Sequence, residues 1–139
     1  MSVKILSENG NTQEVVSGGD MITLQIDGEA LEKIDSPIFG FQVKNKYGQS
    51  MFGENSYDAN SRKTGAVEPG TKFSAHFSFR LPVLADGEYT VMAAISDGTP
   101  DSHKICCWIH EAVKFESISP IFVQGVFHQQ MERVEIKCF

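Results

Sequence analysis

Residues 72–81 read KFSAHFSFRL, and their alternation decides the class of fold. Phe73, Ala75, Phe77 and Phe79 fall on one side of an extended chain, and Ser74, His76, Ser78 and Arg80 on the other, which is the two-residue period of a half-buried strand. A helix would scatter that apolar set around its axis. The same period recurs outward in both directions. MITLQID (21–27) sets Ile22, Leu24 and Ile26 against Thr23, Gln25 and Asp27, and FGFQVKN (39–45) sets Phe39, Phe41 and Val43 against Gly40, Gln42 and Lys44. EYTVMAAIS (88–96) follows the turn residues ADG; HKICCWIHEAVKFES (103–117) predicts one long strand or two joined by a bend. MERVEIKCF (131–139) predicts a final strand with Val134, Ile136 and Cys138 on one side, and only DGEALEKI (27–34) offers a short helical turn. Gly, Pro, Asn and Asp punctuate these runs, and there is no internal repeat. The expected fold is all-β, an antiparallel β-sandwich of immunoglobulin-like or jelly-roll type.

A chain of 139 residues has room for one domain with a real core, so 1–139 is read as a single domain. Hydrophobic residues at 41% and charged residues at 22% fit a folded globular chain rather than a disordered one. No apolar run approaches the length of a membrane helix, and MSVKILSENGN lacks the apolar stretch of a secretory signal, so a cytoplasmic protein or an excised domain is expected. The net charge of −6 argues against a sequence-independent grip on nucleic acid or an anionic bilayer, since both need a basic face. Of three cysteines, Cys106 and Cys107 are adjacent and on a regular strand would point apart, so reduced, mostly buried thiols are expected.

The chemistry of the common enzyme and cofactor classes is missing. There is no Gly-x-x-x-x-Gly-Lys phosphate loop and no nucleophile elbow. HKICCWIH gathers His103, Cys106, Cys107 and His110 within a short span, but strand alternation scatters them over two faces, so no metal site and no cofactor are expected. A carboxylate pair for glycosidic cleavage can be drawn from any set of eighteen acidic residues and carries no signal. No enzymatic activity is expected.

The stretch PIFGFQVKNKYGQSMFGEN (37–55) reads as a core-facing strand through Phe41 and Val43, a tight turn bracketed by Asn45 and Gly48, and a returning strand at Phe52. Gly53 and Asn55 then end that strand and launch the polar stretch 55–70. Gly40-Phe41-x-Val43-x-Asn45, Gly48 and Phe52-Gly53-x-Asn55 together resemble a pattern of the C-terminal carbohydrate-binding domain of the ATP-binding subunits that export O-antigen polysaccharides, the Wzt type. Leu84-x-x-Gly87-x-Tyr89 and Trp108-x-x-x-Ala112-x-x-Phe115 are similar to two further motifs of that family, in order. The chain departs at Cys107, where relatives commonly carry an acidic residue. The resemblance implies a β-sandwich that captures a lipid-linked glycan at the cytoplasmic face of the inner membrane and works with the transporter's ATP-binding and membrane subunits. It also implies a piece of a longer subunit, because no nucleotide-binding part is present. Most residues of these motifs read as scaffold.

Two faces compete for a sugar, which needs a shallow polar surface and an aromatic platform. If 39–45, 88–96 and 104–110 share a sheet, its outer face carries Gln42, Met92, Ala94, Ser96, Cys106, Trp108 and His110, unless Trp108 is the buried inter-sheet tryptophan of many sandwiches. The rival face carries Thr23, Gln25, Ser74, His76, Ser78 and Arg80, where Arg80 would suit an acidic sugar. Asn55, Tyr57, Asn60 and Arg62 are placed to complete either face. The alternative to glycan recognition is a protein-interaction or dimerisation module without sugar binding. Family resemblance and the long apolar connection SISPIFVQGVFHQQ (117–130) both point to a homodimer in which ERVEIKCF adds to or exchanges with a second copy.

Overall fold

The computed structural model describes residues 1–57 and 65–138. Eight strands form among them: β1 (Ser2–Ser7), β2 (Val15–Ser17), β3 (Met21–Glu29), β4 (Pro37–Lys44), β5 (Ser50–Asn55), β6 (Lys72–Arg80), β7 (Gly87–Gly98) and β8 (His103–Ile118). They make a three-stranded sheet in the order β1-β3-β6 and a five-stranded sheet in the order β2-β8-β7-β4-β5. This is the expected β-sandwich. Its one departure from antiparallel pairing is the short β2, which runs parallel to the end of β8 through Val15↔Glu116.

The core lies where the alternating apolar faces meet. Ile5, Leu24 and Ile26 from one sheet are nearly inaccessible, as are Val43, Val91 and Ala93 from the other, and all join a single cluster. Phe41 stacks on Phe79 at 5.7 Å and meets Phe77 edge-on at 5.1 Å, tying the two sheets together near their β5 and β6 margins. The Leu84-x-x-Gly87-x-Tyr89 motif is a corner. The Tyr89 hydroxyl donates to the Ala85 carbonyl at 2.8 Å, its ring stacks on Phe115 at 5.5 Å, and Leu84 is fully buried. The Asn45–Gly48 turn forms as read: Gly48 has φ +77°, and the Asn45 carboxamide oxygen accepts from the Tyr47 and Gln49 amides.

Three expectations are corrected. Residues 27–34 make no helical turn; β3 runs to Glu29, and Ala30 and Ile34 then bury themselves against the Val67–Thr71 segment through backbone hydrogen bonds. Gly53 does not end β5 but sits inside it opposite Gln42, and Asn55 is its last residue. No strand forms over 131–138, because a strand needs a ladder partner and the chain folds without bringing this segment to a sheet edge. The preceding connection is held by its own domain at only a few points: Ala85 donates to the Val126 carbonyl, His128 to that of Val83, and Ser119 to the Asp86 carboxylate.

Candidate functional site

β8 is one strand with two irregularities, and they decide what the five-stranded sheet displays. Ile95 pairs with Cys107 but Ser96 pairs with Ile105, so Cys106 is an extra residue, and the strand changes phase there. Further along, Met92 lies opposite the three residues between Ile109 and Val113. Trp108 pairs with Ala94 and follows it outward, 44% exposed, which overturns the buried inter-sheet tryptophan. Cys106 leaves the outer face, where alternation puts it, and shares with Cys107 a different cleft near Met1 and Phe73. The thiols are therefore not buried as expected: all three cysteines are free, Cys106 and Cys138 exposed and Cys107 half-buried.

Across the sheet, successive strands place Trp108, Ala94, Gly40 and Asn55 in one row and Met92, Gln42 and Gly53 in the next. Large groups stand at the ends of the first row and almost no side chain in its middle. The outcome is a shallow trough of about 490 Å³, crossing three inter-strand spacings or roughly 14 Å from Trp108 to Asn55. Ser96, Ile38 and Ile105 extend it along the strands, and His103 and Pro100 close one end.

The polar groups around the trough make a mixed set of donors and acceptors. The Gln42 side-chain oxygen accepts from Ser50 at 3.2 Å and that of Asn55 accepts from the Tyr57 amide at 2.9 Å, leaving each NH₂ to donate. His103 Nδ1 lies 3.0 Å and 3.1 Å from the Thr99 and Pro100 carbonyls. Carbonyls only accept, so Nδ1 carries a proton and Nε2 is the nitrogen turned toward the trough's polar set. Glu54 is at the rim, where its carboxylate accepts from the Asn55 amide at 2.9 Å.

Of the residues singled out from sequence, Gln42, Met92, Ser96, Trp108 and Asn55 converge on this trough. His110 lies beside it, its ring 5.5 Å from that of Trp108. Tyr57 follows two residues after Asn55, half-buried. Asn60 and Arg62 lie outside the described residues. His76 and Arg80 are not part of the trough: they are on the outer face of the other sheet. Sequence reasoning missed Gly40 and Gly53 as floor, and Glu54, His103 and Ile105 as lining. A glycine inside an apolar strand was a usable signal for the floor; the phase change that turns Ile105 outward had none.

The rival face satisfies itself. Thr23 and Ser78 share a hydrogen bond of 2.8 Å, Gln25 donates to Asp27, and Arg80 donates to the Gly19 carbonyl at 3.2 Å. Ser74 donates to Asp27 at 2.6 Å, so at its 2.8 Å contact with His76 Nε2 the hydroxyl accepts. The Ser74 hydrogen bond, more than any other contact, holds the Asp27 carboxyl below its ordinary value of 3.8. A depressed folded-state pKa stabilises above the unfolded value and is lost as pH falls through the folded one. Urea unfolding of Asp27→Asn beside the native chain is therefore expected to show a small stability gap at pH 7 that closes below pH 3.8. A gap that widens on acidification would contradict the assigned cause.

A family model described as the Wzt C-terminal domain matches residues 1–129. Among solved structures, a crystal structure of the C-terminal domain of wzt superposes with a TM-score of 0.85 at 18% identity, covering 96% of this chain and 81% of that one. That likeness shows the fold. No curated protein matches the chain.

Proposed function

We propose that this chain, which belongs to the Wzt C-terminal domain family, is a non-catalytic module that recognises an O-antigen polysaccharide for export. On this reading its partners are the glycan and the ATP-binding and membrane subunits of an ABC transporter, and it works at the cytoplasmic face of the inner membrane. The observation that carries the glycan reading is the row Trp108, Ala94, Gly40, Asn55. An exposed indole offers a platform for the C–H face of a pyranose, and the bare floor beside it lets neighbouring sugar rings lie flat. Amide NH₂ groups, a hydroxyl, an imidazole nitrogen and a carboxylate surround that floor, as a ligand whose every hydroxyl both donates and accepts requires. The rival face has its polar groups occupied with one another.

Titration of the labelled chain with the O-polysaccharide of the strain that encodes it tests this. A shallow site returns little net energy from hydrogen bonds exchanged with water, so affinity in the micromolar-to-millimolar range is expected. Shifts should centre on Gly40, Gly53, Ala94 and the Trp108 indole. Trp108→Ala is expected to weaken binding about tenfold, as loss of a stacked aromatic anchor does, while His76→Ala and Arg80→Ala stay within about twofold. Shifts confined to β3 and β6 would move the site to the other sheet. No shift at millimolar glycan would leave the assembly-module reading standing alone.

We also propose a homodimer through the C-terminal segment. It is supported by Val134 and Ile136, which alternate as the buried face of a strand does yet are 77% and 86% exposed in the single chain.

A further inference from the structure

Resting on the glycan reading of the trough, we infer that it is built for an uncharged glycan that presents a 6-deoxyhexose, with the C6 methyl group against Ile105. Two observations carry this. The first is charge. Among the described residues lining the trough the one formally charged side chain is Glu54, and no lysine or arginine lines it. A uronate or phosphate would meet a carboxylate there with no lysine or arginine among the described lining residues to pair it. Arg80, the described arginine singled out for such a group, is on the opposite face and donates to Gly19.

The second is an apolar wall that a plain hexose does not need. The extra residue Cys106 turns Ile105 outward beside Ser96, while Trp108 stands beside Ala94. Ser96 and Ala94 are two residues apart on β7, so the two side chains rise about 7 Å apart along the same face, close to the width of one pyranose ring. Both remain about half exposed, at 47% and 44%, over a floor of nearly buried Met92 and Ile38. A ring stacked on Trp108 directs an edge at Ile105. Against Ile105 a methyl group would lose only unfavourable contact with water, whereas a hydroxymethyl group must turn its hydroxyl aside to Ser96 or back to solvent to keep a partner.

The test uses the full chain and matched tetrasaccharides linked alike: D-mannose against 6-deoxy-D-mannose, D-galactose against 6-deoxy-D-galactose, and an oligogalacturonate. Amide shifts give the dissociation constants. In at least one pair the 6-deoxy member is expected to bind about five- to tenfold tighter, the range for one apolar group in a partly open site, and the uronate at least about tenfold weaker. Ile105→Thr, with its amide spectrum otherwise intact, should abolish the difference within that pair. Equal or tighter binding of the hydroxymethyl members or of the uronate overturns the inference and leaves glycan recognition in place. A preference that survives Ile105→Thr overturns the role given to Ile105. Absence of shifts with every tetrasaccharide, while the strain's own O-polysaccharide shifts the trough amides, overturns this inference alone; absence with that polysaccharide as well overturns the glycan reading with it.

Discussion

Cutting the chain after Gln130 is expected to convert a dimer into a monomer. The residues removed are exposed in the single chain, Met131 at 58% and Val134 and Ile136 more so, and Val134, Ile136 and Cys138 share the side that a strand would turn inward. The sandwich has an opening to receive them. β5 and β6 are the terminal strands of their sheets on one side, and between them lies a gap of about 440 Å³ lined by Phe41, Phe52, Phe77 and Phe79. β6 is nine residues long, enough to pair with the whole segment and satisfy its unpaired edge groups. Burial of two or three aliphatic side chains contributes about 1.5–3 kcal/mol each. With the second copy's segment buried in the same way and a backbone ladder added, the gain offsets the cost of association and leaves a micromolar dimer. Sedimentation of the full and shortened chains between about 1 and 100 µM checks this. A full chain that stays monomeric throughout ends the proposal, and a shortened chain that still dimerises moves the interface to Phe122, 85% exposed, and its neighbours in the 119–128 connection.

The sandwich was legible in the sequence because its strands alternate without ambiguity. Phe73 to Phe79 and Ile22 to Ile26 each have one apolar and one polar side, and a one-residue slip would exchange them. Three site positions were legible for the same reason: Gln42, Met92 and Ser96 follow from the phase of β4 and β7. What failed depended on pairing. The phase of β8 changes at Cys106 because Ser96 pairs with Ile105 rather than with the residue after it, and nothing in HKICCWIH marks that step. Residues 131–138 show the opposite failure. Their alternation is real, but a period says which side would be buried and not which molecule supplies the neighbouring strand.

Gly53→Ala is expected to cost about 2–4 kcal/mol of stability, the upper part of the range for overpacking against an unyielding neighbour. A Cβ built on Gly53 would clash with the Phe41 carbonyl oxygen and stand 3.0 Å from Gln42 Cγ and 3.2 Å from Gln42 Cα. The first and third of these are backbone atoms of β4, which cannot swing away as a side-chain tip does. β4 is held on its other side by eight paired residues of β7, from Pro37↔Asp97 to Lys44↔Thr90. Among the described residues β5 has β4 as its only partner in the sheet, so it is the strand that yields. Its displacement carries Asn55 and Glu54 away from the trough and parts Phe52 from the edge-on contacts it makes with Phe41 at 6.3 Å and Phe79 at 5.8 Å. Glycan binding and stability should therefore fall together in this variant. Gly40→Ala separates the two effects, since the Cβ there would come no nearer than 3.4 Å to Asn55 Cβ and 3.5 Å to the Glu54 carbonyl. It is expected to leave stability within about 0.5 kcal/mol while roughening the floor between Trp108 and Asn55. Urea unfolding and glycan titration on both variants check the pair. A Gly53→Ala chain as stable as the native one would mean that β5 does not lie as close to β4 as the structure has it.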